Sequence, residues 1–209
     1  LAEALRRSNE QASGIMHFAL LTWFRQVYDY QKIEPYPTYY ALKRALQPIL
    51  VSAELWGRNL YGGEKLPTRI YVVNDREDGT DLKPTLLRWE IQDETGKKLV
   101  WGDEELPAVK HYGRYYIEPN IQLPAKLPSN KVNAKLVLKL TENGLPVSEN
   151  EYNLLLADKK WNIGQVAENK KIVLLDNDGT KAIFDFLRIN YKTVSSVREA
   201  VNSKQKADL

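Results

Sequence analysis

Apolar residues at helical spacing open the chain. In "LAEALRRSNEQ" Leu1, Ala4 and Leu5 share one face, and Ser13-Gly14 ends the pattern. "GIMHFALLTWF", residues 14 to 24, follows as a continuous apolar run, which predicts a strand buried on both faces of a parallel sheet. Pro35 and Pro37 then predict an extended connection. "TYYALKRALQPI" predicts a second helix, with Thr38 as N-cap, Tyr39, Leu42 and Leu46 along one face, and Pro48 at its close.

The pattern changes near residue 49. "VSAELWGRNLY", "TRIYVVND", "TLLRWEIQD", "KLVWG", "HYGRYYIEPNIQL", "KVNAKLVLKLTE" and "EYNLLLAD" are short β-type runs. Alternation is clearest in Leu87-Arg88-Trp89-Glu90-Ile91 and in Lys135 to Leu140. Glu94-Thr95-Gly96-Lys97, Pro124 with Pro128, and the hairpin dipeptide Asn143-Gly144 separate them. Strands of this size and punctuation, without a helical period, predict an immunoglobulin-like β-sandwich over 49–158. From 159 to 209 the pattern switches again. "KKIVLLDND" reads as a strand, "GTKAIFDFLRI" as a helix with Ala182, Ile183, Phe186 and Leu187 on one face, "NYKTVSSV" as a short strand and "REAVNSKQKADL" as a fading helix. That is β-α-β, the start of an α/β segment that the chain does not finish.

Composition narrows the function classes. With 43% hydrophobic and 27% charged residues the chain is globular in character, and its longest apolar run, roughly Ile15 to Phe24, is about half of the ~20 residues a membrane helix needs. The net charge of +3 arises from 30 basic and 27 acidic residues in mixed sign, without the basic stripe that a nucleic-acid groove requires. Neither nucleic acid nor membrane is therefore an expected partner. Zero cysteines exclude disulfides and thiolate metal sites, and only two histidines, His17 and His111, disfavour a histidine metal site or a serine triad. No cofactor or metal is expected. No leader peptide is visible, export is left open, and the compartment cannot be read.

"IVLLDNDGT", residues 172 to 180, places Asp176 and Asp178 where a haloacid-dehalogenase-type phosphatase carries its nucleophile and general acid. That chemistry also needs a phosphate-binding Ser/Thr and Lys and further magnesium acids on later strands. Only 29 residues follow Thr180, and beyond Glu199 the sole candidate for an acid pair is Asp208, so the reading adopted is a strand ending in a polar turn. Asp103-Glu104-Glu105 reads as a solvated acidic loop. His17 reads as a packed histidine. Trp56, Trp89, Trp101, Tyr112, Tyr115 and Tyr116 weigh as core first and as a sugar-binding face second.

The order of these pieces carries a resemblance. Ser13 to Trp23, Tyr39 to Arg44 and Pro48 to Ser52, with "SENEYNLLLA" at 148–157, resemble the end of the catalytic barrel and the following immunoglobulin-like domain of glycoside hydrolase family 2, the β-galactosidase/β-mannosidase group. The resemblance implies that residues 1–48 are the last helix, strand and helix of a (β/α)8 barrel, that 49–158 brace it, and that 159–209 open a flavodoxin- or amidotransferase-like accessory domain. It implies activity on β-linked glycosides in the parent protein. The catalytic glutamate pair would end barrel strands that precede residue 1, so no catalytic residue is assigned in this chain. Trp23, at the end of the eighth barrel strand, is the one implied sugar-binding residue. The implied partners are carbohydrate, through the parent enzyme, and the rest of the barrel. A barrel strand deprived of neighbours is further expected to remodel into helix or to drive self-association through residues 10–30. The alternative function is a stand-alone carbohydrate-binding sandwich.

Overall fold

The computed structural model describes residues 1–8, 20–159, 171–175, 179–187 and 189–202. Helix α1 (Ala2–Ser8) comes first. Of the apolar run at 14–24, the described part is not the expected strand. Leu20–Trp23 form a 3-10 helix, and only Phe24–Arg25 (β1) are extended, paired antiparallel with Glu34–Pro35 (β2). A two-residue ladder cannot satisfy the backbone groups of a long strand, whereas a 3-10 turn closes bonds within itself. Helix α2 (Pro37–Ala45) starts one residue before the expected Thr38 cap: Tyr36 is the N-cap and Pro37 opens the helix, where its missing N–H costs nothing.

The expected sandwich is formed by two sheets. β3 (Ile49–Leu55), β5 (Thr68–Asn74) and β8 (Arg114–Ile117) make an antiparallel three-stranded layer. β4 (Asn59–Tyr61), β10 (Leu145–Ala157), β9 (Lys131–Glu142), β6 (Thr85–Asp93) and β7 (Lys98–Leu106) make the other, in that spatial order, with β4 parallel to β10 and the rest antiparallel. Alternation does the sorting. Val51, Ala53, Ile70 and Val72 of one layer meet Leu87, Trp89, Ile91, Leu136, Leu138, Leu140, Leu154 and Leu156 of the other in one continuous core. Each fully buried Leu or Ile in it contributes about 1.5–3 kcal/mol by leaving water.

Two turns fix the register. Asn143 and Gly144, at φ 51° and 79°, make the two-residue hairpin between β9 and β10. At the β6–β7 turn the Asp93 carboxylate accepts from Thr95 N, Thr95 Oγ and Lys97 N, and Gly96 supplies φ 82°. Asp103-Glu104-Glu105 are not a loop: they lie in β7, which runs longer than "KLVWG", and Asp103 pairs with Arg88 across the ladder through two bonds of 2.7 Å. Past the sandwich, β11 (Ile172–Leu174), α3 (Thr180–Phe186), β12 (Tyr191–Thr193) and α4 (Val197–Asn202) form the expected β-α-β piece, with β11 and β12 parallel. Asp176, Asp178, Asp208 and His17 lie outside the described residues.

Candidate functional site: the joint between the N-terminal segment and the sandwich

β3 is buried along both faces for its first five residues, unlike the other strands of the sandwich. Ile49, Val51 and Ala53 face the core, while Leu50 and Ser52 lie under the N-terminal helices and are fully buried. A seven-residue helix such as α1 does not persist alone in water, so what holds it is its side chains. Glu3, Arg6 and Arg7 fall three and four residues apart, on one face.

Glu3 reaches two strands at once. Its Oε1 accepts from Asn150 Nδ2 at 2.9 Å, and its Oε2 accepts from Tyr152 Oη at 2.6 Å and Ser52 Oγ at 3.0 Å. The Tyr152 hydroxyl in turn accepts from Ala53 N at 3.0 Å and Asn150 Nδ2 at 2.9 Å. Burial pushes that hydroxyl well above the usual tyrosine range, and the Glu3 carboxylate adds to the shift, so Tyr152 remains a donor at ordinary pH. Arg7 donates to Ser52 Oγ and, at 3.3 Å, to Ala53 O, and its guanidinium lies 3.7 Å from Glu3.

Arg6 ties the same helix to the end of α2 and to the loop after β5. Its Nε and Nη2 donate to Asp75 Oδ2 at 3.0 and 2.7 Å, and Nη1 donates to the carbonyls of Ala45 and Gln47 at 2.6 and 2.8 Å. These carbonyls belong to the helix C-terminus, where a cation is also favoured by the macrodipole. The Arg6 carbonyl accepts from Arg114 Nε of β8 at 2.6 Å. Arg44 of α2 pairs with Glu151 of β10 at 3.2 Å. One patch of charge-assisted bonds thus joins α1, α2, β3, β8 and β10.

A cleft of about 550 Å³ opens beside this patch, walled by Glu3, Arg7, Trp23, Arg44, Arg58 and Tyr152. Trp23 is 8% exposed at the end of the 3-10 helix, and its carbonyl accepts from Tyr36 N at 2.7 Å. Its ring is a wall of the cleft and presents no open face. Among the described residues no group of three or more His, Asp or Glu is placed to hold a metal ion, and no helix is long and apolar enough to cross a membrane.

No protein-family model matches the sequence, and no curated protein matches it. Solved structures similar to the chain include family 2 glycoside hydrolases. An exo-chitosanase from Amycolatopsis orientalis is 15% identical with a TM-score of 0.42, the match covering 57% of this chain and 12% of that one. A glycosyl hydrolase family 2 member from Bacteroides cellulosilyticus is 9% identical with a TM-score of 0.36, covering 51% of this chain and 14% of that one. The CARDB domain of a Pyrococcus furiosus protein, in complex with di-metal ions, is 10% identical with a TM-score of 0.36, covering 55% of this chain and 98% of that one. The chain therefore spans about an eighth of the exo-chitosanase it resembles.

Sequence reasoning singled out Trp23 and not Glu3, Arg6, Arg7 or Tyr152. A signal for the last was present. Strand alternation in "SENEYNLLLA" puts Ser148, Asn150 and Tyr152 on the same face as Leu154 and Leu156, and polar groups at core-facing positions imply a buried partner. Of the weighed aromatic residues Trp89 is core, as expected, whereas Trp56, Trp101, Tyr112, Tyr115 and Tyr116 are exposed.

Proposed function

We propose that the chain is the non-catalytic C-terminal part of a glycoside hydrolase of the family 2 type acting on β-linked glycosides, and that its sandwich, immunoglobulin-like in reading, braces the catalytic barrel. The observation that carries this is the joint. The segment that resembles the end of a barrel is clamped to the sandwich by Glu3, Arg6 and Arg7 through buried and partly buried charge-assisted bonds, as a fixed contact between two bodies would be. Such a patch orients the two parts with little freedom, because removing one partner leaves the other buried and unpaired. In this reading the catalytic glutamates belong to earlier barrel strands, and Trp23 borders the sugar pocket of the assembled barrel. Exposed Tyr28 and Tyr30 support the further proposal that residues 10–30 contact another body, either the rest of the barrel or a second copy.

The test is made in the longer protein, with p-nitrophenyl β-glycosides as substrates. Arg6→Ala is expected to lower the temperature at which activity is lost while KM at 25 °C stays as in the parent. A longer protein without glycosidase activity, or an isolated 209-residue chain that hydrolyses these substrates, contradicts the proposal.

A further inference from the structure

The outer face of the three-stranded sheet is divided in two. The pairs Glu54↔Arg69 and Tyr71↔Tyr116 put these four side chains, with Ser52 and Arg114, on the outward side. α1 covers the end that carries Ser52 and Arg114, and it reaches as far as Tyr71, whose ring centroid lies 5.7 Å from the Arg7 guanidinium. The other end is open. Trp56, directly after β3, is 86% exposed there, beside a hollow of about 470 Å³ whose walls include Glu54, Lys65, Arg69, Glu118 and Pro119.

The polar groups of this hollow are held in place. Arg69 Nε donates to Glu118 Oε1 at 2.8 Å, and the guanidinium lies 5.3 Å from the Tyr116 ring centroid. Tyr116 packs on Tyr71 at 5.3 Å and 34°, and Tyr71 Oη donates to Glu54 Oε2 at 3.3 Å. The chain Glu54–Tyr71–Tyr116–Arg69–Glu118 fixes a donor fork and two carboxylates next to a bare indole. An arginine has more N–H donors than these contacts use.

We infer that this hollow binds a pyranose segment of an oligosaccharide. The C–H face of a sugar ring lies on Trp56, and adjacent hydroxyls exchange hydrogen bonds with the Arg69–Glu118 pair. The surroundings select this ligand class. A protein-docking anchor is an aromatic group ringed by apolar surface, whereas here Glu54, Lys65, Arg69 and Glu118 share the walls around the indole with Pro67 and Pro119. A phosphate-bearing ligand would meet the carboxylates of Glu54 and Glu118. A neutral polyhydroxyl ligand satisfies donors and acceptors alike and brings an apolar face for the indole. The site is independent of the bracing role and of the parent reaction.

Electrophoresis of the full chain through gels containing hydroxyethyl cellulose, galactomannan, β-1,4-galactan or glycol chitosan tests it. At least one of these polysaccharides is expected to retard the protein. Trp56→Ala is expected to weaken that retardation about tenfold and Arg69→Ala to weaken it as well, with circular dichroism unchanged. Trp101→Ala, which removes an exposed ring on the other sheet, is expected to retain it. Retardation by none of the four, or equal loss in the Trp56 and Trp101 variants, overturns the inference. A Trp56→Ala variant that alters the association state and not the retardation assigns the ring to a protein contact, and overturns it too.

Discussion

Arg6 spends its guanidinium on Asp75 and on the carbonyls of Ala45 and Gln47, with the side chain only 10% exposed. Arg6→Ala leaves those acceptors unsatisfied and is expected to cost about 2–4 kcal/mol in urea unfolding. Arg6→Lys, a point charge without the fork, is expected to recover part of that. Tyr152 gives the joint a pH dependence. Its folded pKa is raised above the ordinary value of 10.0, so below pH 10 both folded and unfolded states hold the proton and the full stability is present. As pH climbs past 10 the unfolded state releases the proton first, and stability falls toward the folded value. Tyr152→Phe is expected to flatten that alkaline loss, read as the urea midpoint between pH 8 and pH 11. A midpoint whose alkaline slope is unchanged by the substitution would remove Tyr152 from the account.

At the scale of elements, the strands were the legible part, because a period of two with one buried face leaves a plain trace in Leu87 to Ile91 and Lys135 to Leu140. The same rule obscured β7. Its acids alternate across an edge strand, and only the cross-strand partner Arg88 distinguishes them from a loop. α2 was legible as a helix but not in its cap, since Pro37 fits an extended connection and a first helical position equally well. Gly102 shows a constraint no pattern reveals: it pairs with Trp89, whose ring lies where a Cβ would stand, at 2.4 Å. Gly102→Ala is therefore expected to destabilise by about 1–3 kcal/mol, through overpacking. Gly144→Ala meets open space, so only its positive φ is strained and about 1 kcal/mol is expected. Glu142, held below the usual carboxylate range chiefly by its bond to Arg76, links the end of β9 to the loop after β5. Its contribution is present above its ordinary 4.5 and is lost as pH falls through the lower folded value, so Glu142→Gln is expected to reduce the acid sensitivity of unfolding.

For the whole molecule, the order of pieces was readable and their mutual attachment was not. Composition marks a sandwich between two α-bearing segments, but the clamp depends on side chains 45 to 149 positions apart in the chain, such as Arg7 with Ser52 and Glu3 with Tyr152. No local pattern encodes that distance. The site residue implied by resemblance, Trp23, is placed beside the clamp as a wall of its cleft. The most direct measurement is the coding sequence upstream of Leu1. Several hundred residues of alternating strands and helices are expected there, with a glutamate ending each of two strands about 5 Å apart in the folded barrel. An upstream region without such a barrel, or a true start at Leu1, contradicts the proposed function.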